Sequence, residues 1–253
     1  TKTTIPQYLK NQGILTGIKV DIGAKELAQH PNEKITEGLD GLRERLSLYK
    51  NGGADFAKWR AVITINKHTP SDACIYANAH ALARYASLCQ ENSIVPIVEP
   101  EVLMDGNHGI DKCYQTTNET LKVVFNELRL LKVDLEAIIL KPNMILPGLQ
   151  SNEHISNTLI AEMTFNTLKK NVPKEVPGIA FLSGGQSSDL AAQRLNTLNK
   201  LYFKESPWKL TFSYGRALQK DALSKWARGS TEDTQNALIY RAKMNHLASI
   251  GKL

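Results

Sequence analysis

Short apolar, β-rich runs punctuate the chain at residues 13–20 (GILTGIKV), 55–65 (DFAKWRAVITI), 94–99 (IVPIVE), 135–140 (LEAIIL), 178–182 (GIAFL) and 209–213 (KLTFS). Between them the apolar positions change period. Leu39, Leu42, Leu46 and Tyr49 recur at helix spacing, as do Leu121, Val124, Phe125, Leu128 and Leu131, which predicts amphipathic helices. The segment after Pro70 is alanine-rich, with Ser71 as an N-cap and Asp72 in the first turn. The first five runs begin about 40 residues apart, a strand–helix alternation that implies parallel pairing with right-handed crossovers.

IVPIV and AIIL are apolar almost without a break, as strands buried on both faces must be. An α/β architecture with such strands is a doubly wound sheet or a (β/α)8 barrel. A dinucleotide-binding sheet carries a glycine-rich turn directly after its first strand, and VDIGAKEL offers no G-x-G-x-x-G. The barrel is the expectation, although the chain supplies six strand-like runs rather than eight.

Composition narrows the function classes. The chain has 253 residues, 42% apolar and 22% charged, and a mean hydropathy of -0.29, values of an ordinary globular domain. No run approaches the roughly 18 apolar residues of a membrane span, and TKTTIPQYLK lacks the apolar core of a signal peptide. Three cysteines, Cys74, Cys89 and Cys113, have no paired spacing. A disulfide framework is therefore not expected, and a reducing, cytoplasmic compartment is. The net charge is +6 and the pI about 9.1, but basic and acidic residues alternate and the longest basic run is Lys169-Lys170. That pattern argues for a solvated mixed surface and against a nucleic-acid partner, leaving a small anionic ligand as the better candidate.

In a barrel the chemistry gathers at the C-terminal ends of the strands. There the sequence places Lys19 and Asp21, Lys58 and Arg60, Glu99 and Glu101, and Lys141 and Asn143. Each is an i, i+2 pair, which period-two geometry puts on one face of its strand. Lys141 follows the apolar strand with no turn between, and Pro142 keeps its backbone extended. A lysine walled in by apolar strands and faced by another cation such as Lys58 favours its neutral form, and a neutral amine attacks carbonyls. Glu99 is placed to shuttle protons. The plainer reading is that Lys141 snorkels to water at the rim.

The last two strand ends resemble phosphate cradles. Ser183-Gly184-Gly185 and Ser213-Tyr214-Gly215-Arg216 each lead from a strand into a helical pattern, and exposed amides at helix starts attract anions. The six histidines are scattered without a short-spaced pair, so no metal site is expected. No G-x-S-x-G elbow or Walker loop occurs.

GIKVD, GGADFAKWR, NSIVPIVEPEVL, AIILKPNMILPG, GIAFLSGGQS and SPWKLTFSYGRALQ together resemble class I fructose-bisphosphate aldolase, over about residues 5–250. The resemblance implies a lyase that cleaves fructose 1,6-bisphosphate to dihydroxyacetone phosphate and glyceraldehyde 3-phosphate through a lysine Schiff base, with no metal or other cofactor. It implies that Lys141 forms the imine, Glu99 acts as acid and base, and Lys58 polarises the reacting hydroxyl. Lys19 and Arg60 would contact the distal (C6) phosphate. Ser183, Gly184, Gly185, Ser213, Gly215 and Arg216 would hold the C1 phosphate, with Asp21, Glu101 and Asn143 in support. A cytoplasmic homotetramer without a membrane span is implied, with sugar phosphates as small-molecule partners and a contact with actin or the cytoskeleton.

Members of that family carry two further strands before this N-terminus and a flexible tail after the last helix. The chain opens on Thr1 rather than Met and ends at Lys252-Leu253. The expectation is thus a single partial TIM-barrel domain over residues 1–253, its strands being the third to eighth of the barrel, closing with a C-terminal helix at 232–253. Such a portion is expected to be inactive alone. The alternative function is a catalytically silent aldolase-like fragment that binds phosphorylated sugars or protein partners.

Overall fold

The computed structural model describes residues 3–253. Six parallel strands form one sheet: β1 (Gly17–Lys19), β4 (Phe56–Ile63), β5 (Val95–Val102), β6 (Ile139–Leu140), β7 (Gly178–Phe181) and β8 (Lys209–Phe212), hydrogen-bonded in that order. All six fall within or across the apolar runs. The main helices lie between successive strands: α2 (Leu42–Asn51), α3 (Asp72–Glu91), α4 (Ile110–Leu130), α5 (Asn157–Asn171) and α6 (Ser188–Tyr202). After β8 come α7 (Arg216–Trp226) and α8 (Thr231–Ser249). Ser71, Ser156, Ser187 and Ser230 each cap a helix, their hydroxyls accepting from the N–H of Cys74, Leu159, Leu190 and Asp233. That satisfies one of the donors a helix leaves open at its start.

Four local features differ from the sequence expectation. Gly23–Glu26 (β2) and Lys34–Glu37 (β3) form an antiparallel hairpin outside the main sheet; its strands are short and mostly polar, so no apolar alternation announces them. A short helix, α1 (Ile5–Asn11), precedes β1 and buries no residue. The expected strand at 135–140 is only half strand. Asp134 accepts from the Glu136 N–H and winds Leu135–Ala137 into a 3-10 turn, leaving Ile139 and Leu140 to pair. The C-terminal helix expected at 232–253 is corrected to Thr231–Ser249, closed by Gly251 at a left-handed φ of 68°, the usual way of terminating a helix.

The two faces of the sheet carry different chemistry. On β4, Ala57, Trp59, Ala61 and Ile63 are fully buried; Trp59 stacks on Tyr85 of α3 with ring centroids 5.6 Å apart. This parity faces the helices. Lys58 and Arg60 occupy the other parity and face the concave side, where they meet side chains from β5. The helical layer closes through Phe165 of α5, stacked at 4.1 Å on Tyr202 of α6 and edged by Trp208. In the parallel register Lys58 lies opposite Ile97 and Arg60 opposite Glu99, and each side chain reaches the carboxylate two residues further along β5, Glu99 and Glu101 respectively.

Candidate active site

The ladder runs past the formal strand ends. Lys141 N–H donates to the Val98 carbonyl at 2.8 Å, Leu182 to Pro142 at 3.1 Å, and Ser213 to Phe181 at 2.9 Å. These bonds carry Lys141 alongside Glu99 on the concave face. The Glu99 carboxylate stands between two amines, Oε1 at 3.0 Å from Lys141 Nζ and Oε2 at 3.2 Å from Lys58 Nζ. The cluster is sheltered, with side-chain exposures of 4% for Glu99, 12% for Lys141 and 23% for Lys58. Lys141 therefore turns to Glu99 and not out to the rim. Two lysine amines facing one carboxylate give it the polar partners that a buried carboxylate requires.

A second tier lies one step further along the strands. Arg60 pairs with Glu101. Burial works against the Arg60 charge, yet the hydrogen bond and charge of Glu101 outweigh it and hold the guanidinium above its ordinary pKa. Asp21 is buried and accepts from the N–H groups of Arg60 at 3.3 Å and Gly23 at 3.1 Å. Lys19, half exposed, closes the tier with its Nζ 2.6 Å from Asp21 Oδ1. Lys19, Asp21, Lys58, Arg60, Glu99, Glu101 and Lys141 thus converge on one side of the sheet.

Asn143 does not join them. Its Oδ1 accepts from Val102 N–H at 3.0 Å, and its Nδ2 donates to Thr117 Oγ1 of α4 at 3.1 Å. The expectation that Lys141 and Asn143 share a face is corrected. β6 ends at Leu140, so period-two alternation no longer holds across Pro142, and Asn143 rotates toward the helical layer.

The loop after β7 contains two successive left-handed glycines, Gly184 at φ 51° and Gly185 at φ 76°. A Cβ on Gly184 would stand 2.8 Å from Met104 Sδ, so conformation and space both call for glycine there. Ser183 is buried within this turn. Ser213 continues β8 beside it, while Gly215 and Arg216 are exposed at the start of α7. Arg216 makes no ion pair among the described residues. Gln186, part of the same Ser-Gly-Gly-Gln motif but given no role from the sequence, hydrogen-bonds the Ser183 carbonyl through its side chain at 2.9 Å. Arg194, which nothing in the sequence singles out, reaches back to Gln186 at 3.0 Å. The adjacency of Gln186 to Ser-Gly-Gly was a usable signal; Arg194, a full two turns along α6, had none.

A cavity of about 780 Å³ lies elsewhere, between the β2–β3 hairpin, α2 and α3, and is lined by Arg45, Tyr49, His80 and Arg84 among others. The three cysteines are free and buried, and burial pushes the Cys74 thiol up to about 11 and Cys89 up to about 12. Among the described residues no cluster of three or more His, Cys, Asp or Glu could hold a metal ion, and no helix is long and apolar enough to cross a membrane.

Comparison with known proteins gives the same family at each level. The family described as fructose-bisphosphate aldolase class-I matches residues 1–253. The probable fructose-bisphosphate aldolase class 1 of Xylella fastidiosa is 51% identical over 250 residues, covering 98% of this chain and 74% of the relative. Fructose-bisphosphate aldolase 4, cytosolic, of Arabidopsis thaliana is 47% identical over 245 residues, covering 96% of this chain and 62% of its own length. A Plasmodium falciparum fructose-bisphosphate aldolase, solved with TRAP and a small molecule inhibitor, superposes with a TM-score of 0.92 at 46% identity. The overlap takes in 96% of this chain and 71% of that one. The six parallel strands are accordingly the wall of a (β/α)8 barrel of the aldolase type. Sharing about half its residues and nearly all its backbone with these proteins, the chain belongs to the class I fructose-bisphosphate aldolase family, metal-independent lyases that cleave fructose 1,6-bisphosphate to dihydroxyacetone phosphate and glyceraldehyde 3-phosphate through a lysine Schiff base.

Proposed function

We propose that Lys141 is the amine that forms the imine, and that Glu99 and Lys58 manage its protons. The observation that carries this reading is the Glu99 carboxylate, held 3.0 Å from Lys141 and 3.2 Å from Lys58 in a sheltered part of the concave face. Glu99 can take a proton from the Lys141 ammonium, freeing the lone pair to attack C2 of the open-chain ketose. The carbinolamine then loses its hydroxyl as water, with Glu99 returning the proton, and an iminium remains. Cleavage of the C3–C4 bond sends its electron pair into the iminium, forming an enamine, as the C4 hydroxyl gives its proton to the Glu99 carboxylate and becomes the aldehyde. Protonation of the enamine at C3 and hydrolysis of the imine release dihydroxyacetone phosphate and regenerate Lys141. Lys58, facing Glu99 from the other side, polarises the reacting hydroxyl. A group within hydrogen-bond reach of the proton it moves is what general acid–base catalysis requires.

Lys19 and Arg60 are the contacts proposed for the C6 phosphate, with Asp21 and Glu101 fixing their side chains. Ser183, Gly184, Gly185, Ser213, Gly215 and Arg216 are proposed for the C1 phosphate. The family match favours this catalytic reading over a silent fragment that only binds sugar phosphates or protein partners. A cytoplasmic setting has the support of the cytosolic Arabidopsis relative. A homotetramer and a contact with actin rest on the family resemblance alone.

Arg216→Ala tests the phosphate assignment. A charge-assisted contact with a phosphate from an exposed position is worth about 2 kcal/mol, or about 30-fold in affinity. Fructose 1,6-bisphosphate should lose that much, and fructose 6-phosphate, which lacks the C1 phosphate, should lose almost nothing. Isothermal titration with both ligands checks this; equal losses would assign Arg216 to the fold.

A further inference from the structure

An arginine without an acidic partner lies behind the Ser183-Gly184-Gly185 turn. Arg194 belongs to α6, and its side chain runs back toward the helix start, as helical side chains do. Its Nη1 donates to Gln186 Oε1 at 3.0 Å, and its Nε donates to Asn157 Oδ1 at 3.2 Å. No carboxylate lies within 4 Å of it among the described residues. Gln186 is buried, and its Nε2 donates to the Ser183 carbonyl at 2.9 Å, alongside its own backbone N–H at 3.0 Å. Arg194, Gln186 and the Ser183 carbonyl form an unbroken chain that ends on the turn.

We propose that Arg194 is a positioning residue for the C1 phosphate, locking the Ser183-Gly184-Gly185 turn through Gln186 and supplying from behind it a positive charge that only the bound anion neutralises. The inference rests on the reading of that turn as the C1-phosphate pocket.

Two physical points support it. Arg43, Arg60 and Arg241 each meet a carboxylate that holds the guanidinium above its ordinary pKa. Arg194 meets only neutral amide oxygens, and burial alone pulls its pKa down. It also contacts Asn157, the first residue of α5, where the helix dipole is positive and a cation is disfavoured. A charge held at such cost is offset when a dianion docks nearby. Second, the amide side chain of Gln186 is fixed in sense by its partners. Its oxygen must face the guanidinium and its nitrogen the carbonyl, so loss of the arginine frees the amide to rotate and releases the turn.

The C1 phosphate is present in the ground state and in the transition state alike. A contact of this kind therefore changes KM and leaves kcat in place, whereas a merely structural defect lowers the active fraction and leaves KM unmoved. Arg194→Met, made in the complete enzyme, keeps the length and loses charge and donor; the KM for fructose 1,6-bisphosphate should rise about tenfold with kcat within about twofold. Inhibition by fructose 6-phosphate should not change, and Arg194→Lys should recover most of the affinity. If Arg194→Met melts below the assay temperature, Arg194→Gln, which keeps a donor without the charge, carries the same test. An unchanged KM, equal losses for both sugars, or no recovery with lysine would overturn the proposal. Ser183→Ala separates the two readings. If it weakens the bisphosphate while Arg194→Met does not, the role of Arg194 alone falls. If Ser183→Ala has no effect either, the turn is not the C1-phosphate pocket and both fall.

Discussion

Replacing Lys141 with methionine should abolish cleavage of fructose 1,6-bisphosphate, lowering kcat by at least about 10⁴-fold, because an enzyme stripped of its nucleophile retains little beyond binding. Methionine matches lysine in length and fills the same sheltered space without leaving a hole. What it lacks is the lone pair that attacks the ketone. The loss should exceed that of removing a proton carrier, which costs about 10²–10⁴-fold, because no imine forms at all. Substrate affinity should change far less, since Arg60, Ser183 and Arg216 are untouched and Glu99 keeps Lys58 as a partner at 3.2 Å. A stopped assay for the aldehyde product together with equilibrium binding of the bisphosphate checks both halves. A variant retaining more than a hundredth of the native turnover would remove Lys141 from the covalent step.

Gly148→Ala should destabilise the protein more than any other single methyl added to a loop of the site. Gly148 has an ordinary φ, so the objection is one of space. A Cβ there would stand 2.2 Å from the Gly106 carbonyl oxygen and 2.8 Å from its carbon, both backbone atoms that no rotamer change can move. Around that contact the loops after β5 and β6 are laced together. Gly148 N–H donates to the His108 carbonyl at 2.8 Å, Leu149 to Met104 at 2.7 Å, and Gln150 to Gly106 at 2.9 Å. The Ile110 N–H meets the Glu153 carboxylate at 2.8 Å. Leu149 in turn lies 3.1 Å from where a Cβ of Gly185 would be, so the strain reaches the phosphate turn. Forcing these loops apart breaks several bonds at once and should cost ~3 kcal/mol, the upper end for overpacking. In a chain of this size that corresponds to a melting temperature lower by about 6–12 °C. Gly178→Ala is the control, because its Cβ would meet only the Lys209 carbonyl at 3.7 Å. Differential scanning calorimetry of the two variants reads the contrast, and equal melting points would mean the loops yield freely.

Much of this was legible in the residues, for reasons that also explain the failures. The strands at the middle of the sheet could be read because they are buried on both faces and so written in nearly unbroken apolar letters, as in IVPIV and AIIL; β1 and β8 at its ends are more exposed and were marked by shorter apolar runs. The β2–β3 hairpin packs at the edge of the fold with mostly exposed side chains, and its polar sequence gives no period to detect. Residues 135–140 looked like strand throughout because leucine and alanine suit either state; the Asp134 cap decided in favour of a turn. Lys58, Glu99 and Lys141 were visible as charges interrupting apolar runs, but only Lys141 follows a strand end as expected; Lys58 and Glu99 lie within the bodies of β4 and β5. Asn143 was misplaced by the same rule, applied three residues beyond the last residue of β6, Leu140. The Gln186–Arg194 link was invisible because the contact joins a loop to the second turn of a helix, and nothing local marks it.

The central claim is that the Lys141 amine becomes covalently joined to the ketose. Dihydroxyacetone phosphate added with sodium borohydride tests it most directly: hydride reduces the imine carbon, and the lysine is left as a stable secondary amine. Digestion and tandem mass spectrometry should place the added mass on Lys141, in the peptide containing AIILKPN, at one adduct per chain. An adduct on Lys58 instead, or none in the complete enzyme, would contradict the account.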